Sequence, residues 1–487
     1  MRRLSPLLVV VIAAATVVRA CVQPVYCGAP DRSSPSPLLG IAAPFGDDLK
    51  GSCDAFLSLQ ARSLVREGFA ATGGIPLYNA EKAAPRDFFY YSHHPPGVAI
   101  VTSLVFRLFG ESEGAARGVA LFFSTITLLV VAAFVRREVG DAAALLAVVA
   151  MAALPIGMYW STHLDYFVPT IAATGAFLAL ALRDEPTRRT TLLAAGALVV
   201  AMSFDSLALL AALAAGLDRL LASPRRWRPA LGWPLLAAAC AVAWALWTKF
   251  QIGRHGHDDG LDALSNVKAV WALHPQCTSS LTLLRQVERH LRSLVTPLGE
   301  AVLAAGLVLT LRPGPHGALD RFLRASALVA LCAGLLPRLR AFDHVYFQLH
   351  WILPLGASVA LIAAQFAPRV IEGTLVAAFF VGAGWFARPH SAFPADRPSL
   401  HRIGRELAAA APNARAIVIP AKSFGDGYQP WVPVWYARRI VYRPPVDDVT
   451  LNDVAPTLLL FGLHEGDEVL KAKDARWPGR GGFEPLR

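Results

Sequence analysis

The run GVALFFSTITLLVVAAFV at residues 118–135 decides the fold class. No charged side chain interrupts it, and Arg136-Arg137 closes it. As a helix it would reach about 27 Å, close to the ~30 Å hydrocarbon thickness of a bilayer. Inside lipid the backbone must satisfy its own hydrogen bonds, so a run this long is a helix rather than a strand. Outward from it, similar apolar blocks recur near 141–158, 165–182, 190–203, 206–221, 231–249, 295–311, 322–337, 346–364 and 369–386, with short polar, Arg-rich joints between many of them. This patterning predicts an all-α polytopic membrane protein.

Composition agrees. The chain has 487 residues, 55% of them hydrophobic and only 17% charged. Its formal net charge of +11 does not point to nucleic acid. The arginines gather at block ends, as in Arg188-Arg189 and Arg225-Arg226-Trp227-Arg228, with no interleaved aromatic platform for bases. That placement is what positive-inside orientation requires. The six cysteines form no CxxC pair or zinc pattern. Cys27 and Cys53 fall in outward segments, where a disulfide and two separate thiols are both open readings.

Met1-Arg2-Arg3 before the apolar run Pro6–Val18 predicts a cytoplasmic N-terminus and an anchoring helix over 1–20, in preference to a cleaved signal. Residues 21–116 then form an outer loop with juxtamembrane helices, including a short block at Gly97–Phe109 that carries Arg107 and is expected not to cross. A transmembrane bundle follows over 117–388. With about eleven spanning helices the C-terminus falls outside. Residues 389–487 differ in kind: an amphipathic stretch at Leu400–Ala411 and short strands at Ala416–Pro420, Ile440–Tyr442 and Thr457–Phe461 predict a small extracytoplasmic α/β domain.

Ionisable residues concentrate in the outer loop: Asp47, Asp48, Asp54, Asp87, His93 and His94. Asp54 opens the stretch DAFLSLQARSLVREG. There Leu57, Ala61, Leu64 and Val65 share one helical face, and Arg62 and Arg66 turn towards phosphate headgroups. Asp54 also suits the N-cap of that helix. The prolines of His93-His94-Pro95-Pro96-Gly97 fix a rigid approach to the next apolar stretch, a pattern that by itself also fits an interfacial turn. Asp165, after Tyr159-Trp160-Ser161-Thr162-His163, is the second acid expected on the outer side, because charge at membrane depth is costly and marks function. Asp205, in Ser203-Phe204-Asp205-Ser206, reads as a turn-forming aspartate. Asp343-His344-Val345-Tyr346 is a further outward polar cluster. Asp47 and Asp48 permit a divalent cation, without a visible octahedral ligand set.

The order of these pieces carries a resemblance. An outward Asp heads an "AR-x-L-x-x-x-G" stretch, His94-Pro95-Pro96-Gly97 follows, and LFGESEGAAR at 108–117 leads into a spanning helix. This resembles the protein O-mannosyltransferase and aminoarabinose-transferase superfamily, GT-C membrane glycosyltransferases akin to glycosyltransferase family 39. The likeness is strongest over about residues 45–140. It implies a polyprenyl-phosphate sugar donor, a glycan, lipid or protein acceptor outside the cytoplasmic (inner) membrane, and Asp54 as catalytic base. Asp48, His93, His94, Arg117, Asp165, Asp343, His344 and Tyr346 are then the substrate-binding candidates. Asp54 and the His93–His94 pair are expected to share a pocket. Two departures stand out: Asp54 lies between Cys53 and Ala55 rather than beside a second acid, and Gly97-Val98-Ala99 replaces the Leu-Gly-Lys of the mannosyltransferase branch. A transporter is the rival class, and a membrane scaffold presenting the C-terminal domain is a third.

Overall fold

The computed structural model describes residues 5–22, 41, 45, 49–79, 82–158, 160–222, 227–258, 279–311, 317–337, 345–365, 400–410, 414, 416–418, 431–438, 440–442, 469–472 and 483–485. Helix α1 is Pro6–Val22, α2 Leu49–Glu67 and α3 the single turn Phe69–Thr72. Helix α4 is Gly97–Phe109, α5 Glu113–Glu138, α6 Asp141–Ala153, α7 the turn Pro155–Met158, and α8 Phe167–Ala181. Then come α9 Arg188–Phe204, α10 Ala208–Ala222, α11 Trp227–His255, α12 Ser280–Leu309, α13 Gly317–Leu335 and α14 Ile352–Gln365. The last two described helices are α15, Leu400–Ala410, and α16, Trp431–Ala437.

Among the described residues, four helical segments are long and apolar enough to cross a membrane: Glu113–Glu138, Ala230–His255, Ser280–Leu309 and Phe347–Gln365. Shorter apolar helices stand at Pro6–Cys21, Gly97–Phe109, Asp141–Ala153 and Phe167–Ala181. Large apolar side chains such as Leu7, Val10, Leu235, Leu246 and Val308 face outward, which suits lipid and not water. The chain is an integral membrane protein.

Local chemistry sets the helix ends. Ser112 caps α5 by accepting Ala115 N–H at 3.2 Å, with Glu113 in the first turn and Arg136 and Arg137 in the last, matching the helix dipole. Pro155 has no N–H for the carbonyl of Met151, and α6 stops just before it. The buried Arg19 Nη2 donates to that carbonyl instead, at 3.2 Å. Helix α12 breaks at Thr296, whose φ of 66 precedes Pro297. Its N-terminal half lies ahead of the apolar block at 295–311, so the helix begins earlier than that block.

Two small sheets pack beside the helices. Strand β1 (Phe88–Tyr90) pairs in parallel with β2 (Gly256–Asp258), which sets Tyr90 opposite Asp258. Strands β3 (Ala416–Val418), β4 (Ile440–Tyr442), β5 (Val469–Ala472) and β6 (Phe483–Pro485) form a mixed sheet in the order β4-β3-β5-β6. The strand expected at Thr457–Phe461 and the block at 369–386 lie outside the described residues. Leu407, Ile417, Val434 and Trp435 from this C-terminal stretch share one apolar cluster with Ala55, Leu57 and Ala61 of α2. Helix α2 is consequently covered on both sides.

Candidate active site

The site is built on α2. Leu57, Ala61 and Leu64 are buried, as their spacing requires, and so is Asp54, at 0% exposure. The helix starts at Leu49, so Asp54 stands in its second turn and is not its N-cap. The carboxylate faces donors from two other elements. Arg117 Nε, from the first turns of α5, donates to Asp54 Oδ2 at 3.0 Å. His163 Nδ1 lies 2.8 Å from Oδ1, and Leu164 N–H donates to the same oxygen at 2.8 Å. Three donors thus hold the buried carboxylate in place.

His163 continues the chain of charge: its Nε2 is 3.7 Å from Asp165 Oδ2. Asp165 Oδ1 accepts Val168 N–H at 2.8 Å, closing the first turn of α8. Burial pushes the Asp165 carboxyl up to about 6, with His163 and the Val168 hydrogen bond pulling the other way. Arg117 also donates to Ile41 O at 3.2 Å and lies over the Phe45 ring at 4.9 Å. It therefore serves as the counter-ion of Asp54 rather than as an interfacial anchor.

The two histidines of the Pro-Pro turn find other partners. His94 Nδ1 is 3.2 Å from Asp205 Oδ2, in the turn between α9 and α10. The His94 ring lies parallel to Tyr166 at 4.1 Å, and Tyr166 OH donates to Gln60 Oε1 at 2.8 Å. His93 stacks on Tyr91 at 5.1 Å. Asp54 thus has His163 as an imidazole partner, and His94 has Asp205 as its carboxylate partner. The acid meets His163, and the two clusters are linked through Gln60 on α2 and Tyr166, next to Asp165. Both stand at one end of the bundle.

His163, Gln60, Tyr166 and the pairing role of Asp205 were not singled out from the sequence. His163 lies 109 residues from Asp54, and only the fold brings them together. Arg62, expected to face headgroups, is buried: Nε donates to Glu111 Oε2 at 2.8 Å, Nη1 to Trp435 O at 3.2 Å, and the guanidinium lies 3.7 Å from the Trp435 ring. The C-terminal helix α16 occupies the side where lipid was expected. Asp48, Asp343 and His344 lie outside the described residues, and Tyr346 is placed only as backbone in the 3-10 helix Val345–Trp351. Among the described residues no group of three or more His, Cys, Asp or Glu is arranged to hold a metal ion.

Beside this end runs a groove of about 640 Å3 lined by Phe69, Ile100, Leu104, Trp247, Arg254 and His255 among others. Arg254 and His255 directly precede β2, so the parallel β1–β2 register sets them beside Arg86 and Asp87, which lead into β1. Trp247 Nε1 ties α11 to the Gly73 carbonyl at 2.9 Å.

Residues 93–248 match the family described as dolichyl-phosphate-mannose-protein mannosyltransferase. Similar solved structures include the archaeal oligosaccharyltransferase AglB from Archaeoglobus fulgidus in complex with an inhibitory peptide and a dolichol-phosphate. It has a TM-score of 0.52 at 11% identity, over 96% of this chain and 69% of that one. The chain has the GT-C fold. A second AglB structure, tethered to an acceptor peptide, gives a TM-score of 0.50 at 11% identity over 90% and 64% of the two chains. ArnT from Cupriavidus metallidurans, bound to undecaprenyl phosphate, gives 0.49 at 14% identity over 96% and 93%. No curated protein matches by sequence. At such identities the GT-C likeness speaks for architecture, and the chemistry rests on the residues above.

Proposed function

We propose that this GT-C chain is a membrane glycosyltransferase that moves a sugar from a polyprenyl-phosphate donor to a hydroxyl acceptor on the extracytoplasmic side of the inner membrane. Eleven spans are proposed: α1, α5, α6, α8, α9, α10, α11, α12, α13, α14 and the apolar block at 369–386. The observation that carries the reading is a carboxylate, Asp54, buried at one end of a membrane bundle and oriented by Arg117, His163 and Leu164 N–H.

In the proposed step the acceptor oxygen attacks the anomeric carbon in line while Asp54 takes its proton. The bond to the donor phosphate breaks and its electron pair leaves with polyprenyl phosphate, so the anomeric configuration inverts. The leaving group is already an anion of low basicity, and no second acid is needed to protonate it, unlike glycoside hydrolysis. What the site must supply is positive charge and donors near that phosphate. His94, whose ring is partly exposed beside Asp205, supports a place for such a headgroup. The acceptor reaches Asp54 only if Ile41 and Phe45, which close over Arg117, are displaced. A solute transporter is not favoured, since the site's acids gather at one end of the bundle rather than at its middle.

The test is sugar transfer in proteoliposomes from a panel of radiolabelled polyprenyl-phosphate sugars, comparing wild type with Asp54→Asn. Loss of ~10²–10⁴-fold is expected, the usual worth of a positioned proton acceptor. Undiminished transfer by Asp54→Asn would remove this residue from the chemistry. Failure of every donor with wild type would count against the transferase reading itself.

A further inference from the structure

The turn between α9 and α10 does more than reverse the chain. Asp205 Oδ1 accepts Leu207 N–H at 2.7 Å, which is the turn-forming role its sequence context suggests. The other oxygen has a use that no turn requires, since it lies 3.2 Å from His94 Nδ1. The Asp205 side chain is 1% exposed, whereas that of His94 is 32% exposed. One edge of the imidazole is thus held from behind while the ring still reaches solvent.

The surroundings leave this ring little freedom. It lies flat on Tyr166, with the planes inclined by 10°. Tyr166 is in turn parallel to Tyr91, at 6.3 Å. Pro95 and Pro96 restrict the backbone that follows. A Cβ on Gly97 would stand 2.4 Å from Ser203 O, so the Pro-Pro-Gly turn rests directly on the Asp205 turn. Two turns that are far apart in sequence form one rigid corner.

The geometry points to Asp205 as a positioning residue for His94: its carboxylate accepts from Nδ1–H of the imidazolium and turns Nε2–H towards a phosphate oxygen of a lipid headgroup. A carboxylate on one nitrogen and a phosphate on the other satisfies both N–H donors of an imidazolium. No covalent bond changes at His94; the pair binds and orients. The identity of the phosphate rests on the glycosyltransferase reading, while the pairing itself does not.

Asp205→Asn separates this role from the turn. Asparagine keeps an oxygen for Leu207 N–H, but turns an amide NH2 towards His94 Nδ1, which must then accept, so the ring loses the imidazolium charge that strengthens the Nε2–H bond to a phosphate oxygen. The probe is undecaprenyl phosphate, titrated against the full-length chain in nanodiscs, with imidazole 15N NMR and thermal unfolding on the same samples. Asp205→Asn is expected to bind at least tenfold more weakly without a matching loss of Tm, and to lose the Nδ1–H signal of His94. The exposed-ring variant His94→Gln should show the same weakening, and the double variant should be no weaker than either single one. Competition by inorganic phosphate at similar concentration would mean that a free anion, not a lipid headgroup, is the ligand. Wild-type affinity in Asp205→Asn, additive losses in the double variant, or no binding by wild type overturns the proposal. Binding needs no turnover, so a chain that binds the probe yet transfers no sugar refutes the transferase reading alone.

Discussion

Asp165 shows how one residue records the cost of placing charge in this site. Its carboxyl is raised to about 6, against an ordinary value of 3.8, first by burial. The folded chain therefore holds that proton more tightly than the unfolded chain does. Between about pH 4 and 6 the folded state binds more protons, so this group's contribution to stability is fully present below that window and is lost as pH rises through 6. A shift of this size corresponds to on the order of 3 kcal/mol. Asp165→Asn keeps an oxygen for Val168 N–H and removes the titration. The unfolding temperatures of variant and wild type in detergent should therefore converge near pH 4. By pH 7 they should diverge, with the variant more stable. A wild-type advantage at pH 7 would mean that the His163 ion pair outweighs the desolvation. The sequence marked Asp165 as an outer acid, but its imidazole neighbour is visible only once α2, α5 and α8 are assembled.

Among the elements, α2 is the one whose reading changes most between sequence and structure. Its apolar positions were legible because i, i+4 and i+7 share a face, and Leu57, Ala61 and Leu64 are indeed buried. The fate of its polar face was not legible, because the covering helix α16 lies more than 350 residues further on. Arg62 stacks on Trp435 and bonds Glu111, and Tyr436 OH donates to Glu113 Oε1 at 2.6 Å while accepting Phe45 N–H at 3.0 Å. Burial also lowers the Arg62 guanidinium to about 10, with Glu111 opposing the fall. The C-terminal stretch thereby fastens the helix that carries Asp54. Arg62→Ala should cost about 2 kcal/mol, less than the ~3–5 kcal/mol of a fully buried pair, because Glu111 retains some access to water. A chemical or thermal unfolding curve reads that loss directly. Trypsin should also release the C-terminal stretch sooner in this variant. An unchanged curve would mean that α16 rests on α2 without stabilising it.

At the scale of the whole molecule, the membrane class was readable because apolar blocks of spanning length leave few other folds, whereas the count of crossings depends on residues outside the described set. The described ends nevertheless constrain it. Helix α6 finishes at the site end, where the chain continues into His163 and Asp165. Helix α14 runs antiparallel to it: a Cβ on Gly356 would touch Met151, and Val359 clusters with Leu146 and Ala150. Gln365 is therefore at the end opposite the site. Yet α16 touches α2, Phe45 and Glu113, all at the site end. The eleven-span proposal has the chain cross once between these two ends, and the apolar block at 369–386 has the length for it. Alkaline phosphatase, active only outside the cytoplasm, should be inactive when fused after residue 367 and active when fused after residue 392 or at the C-terminus. Equal activity at 367 and 392 would leave α14 and α16 on the same side and break the eleven-span topology.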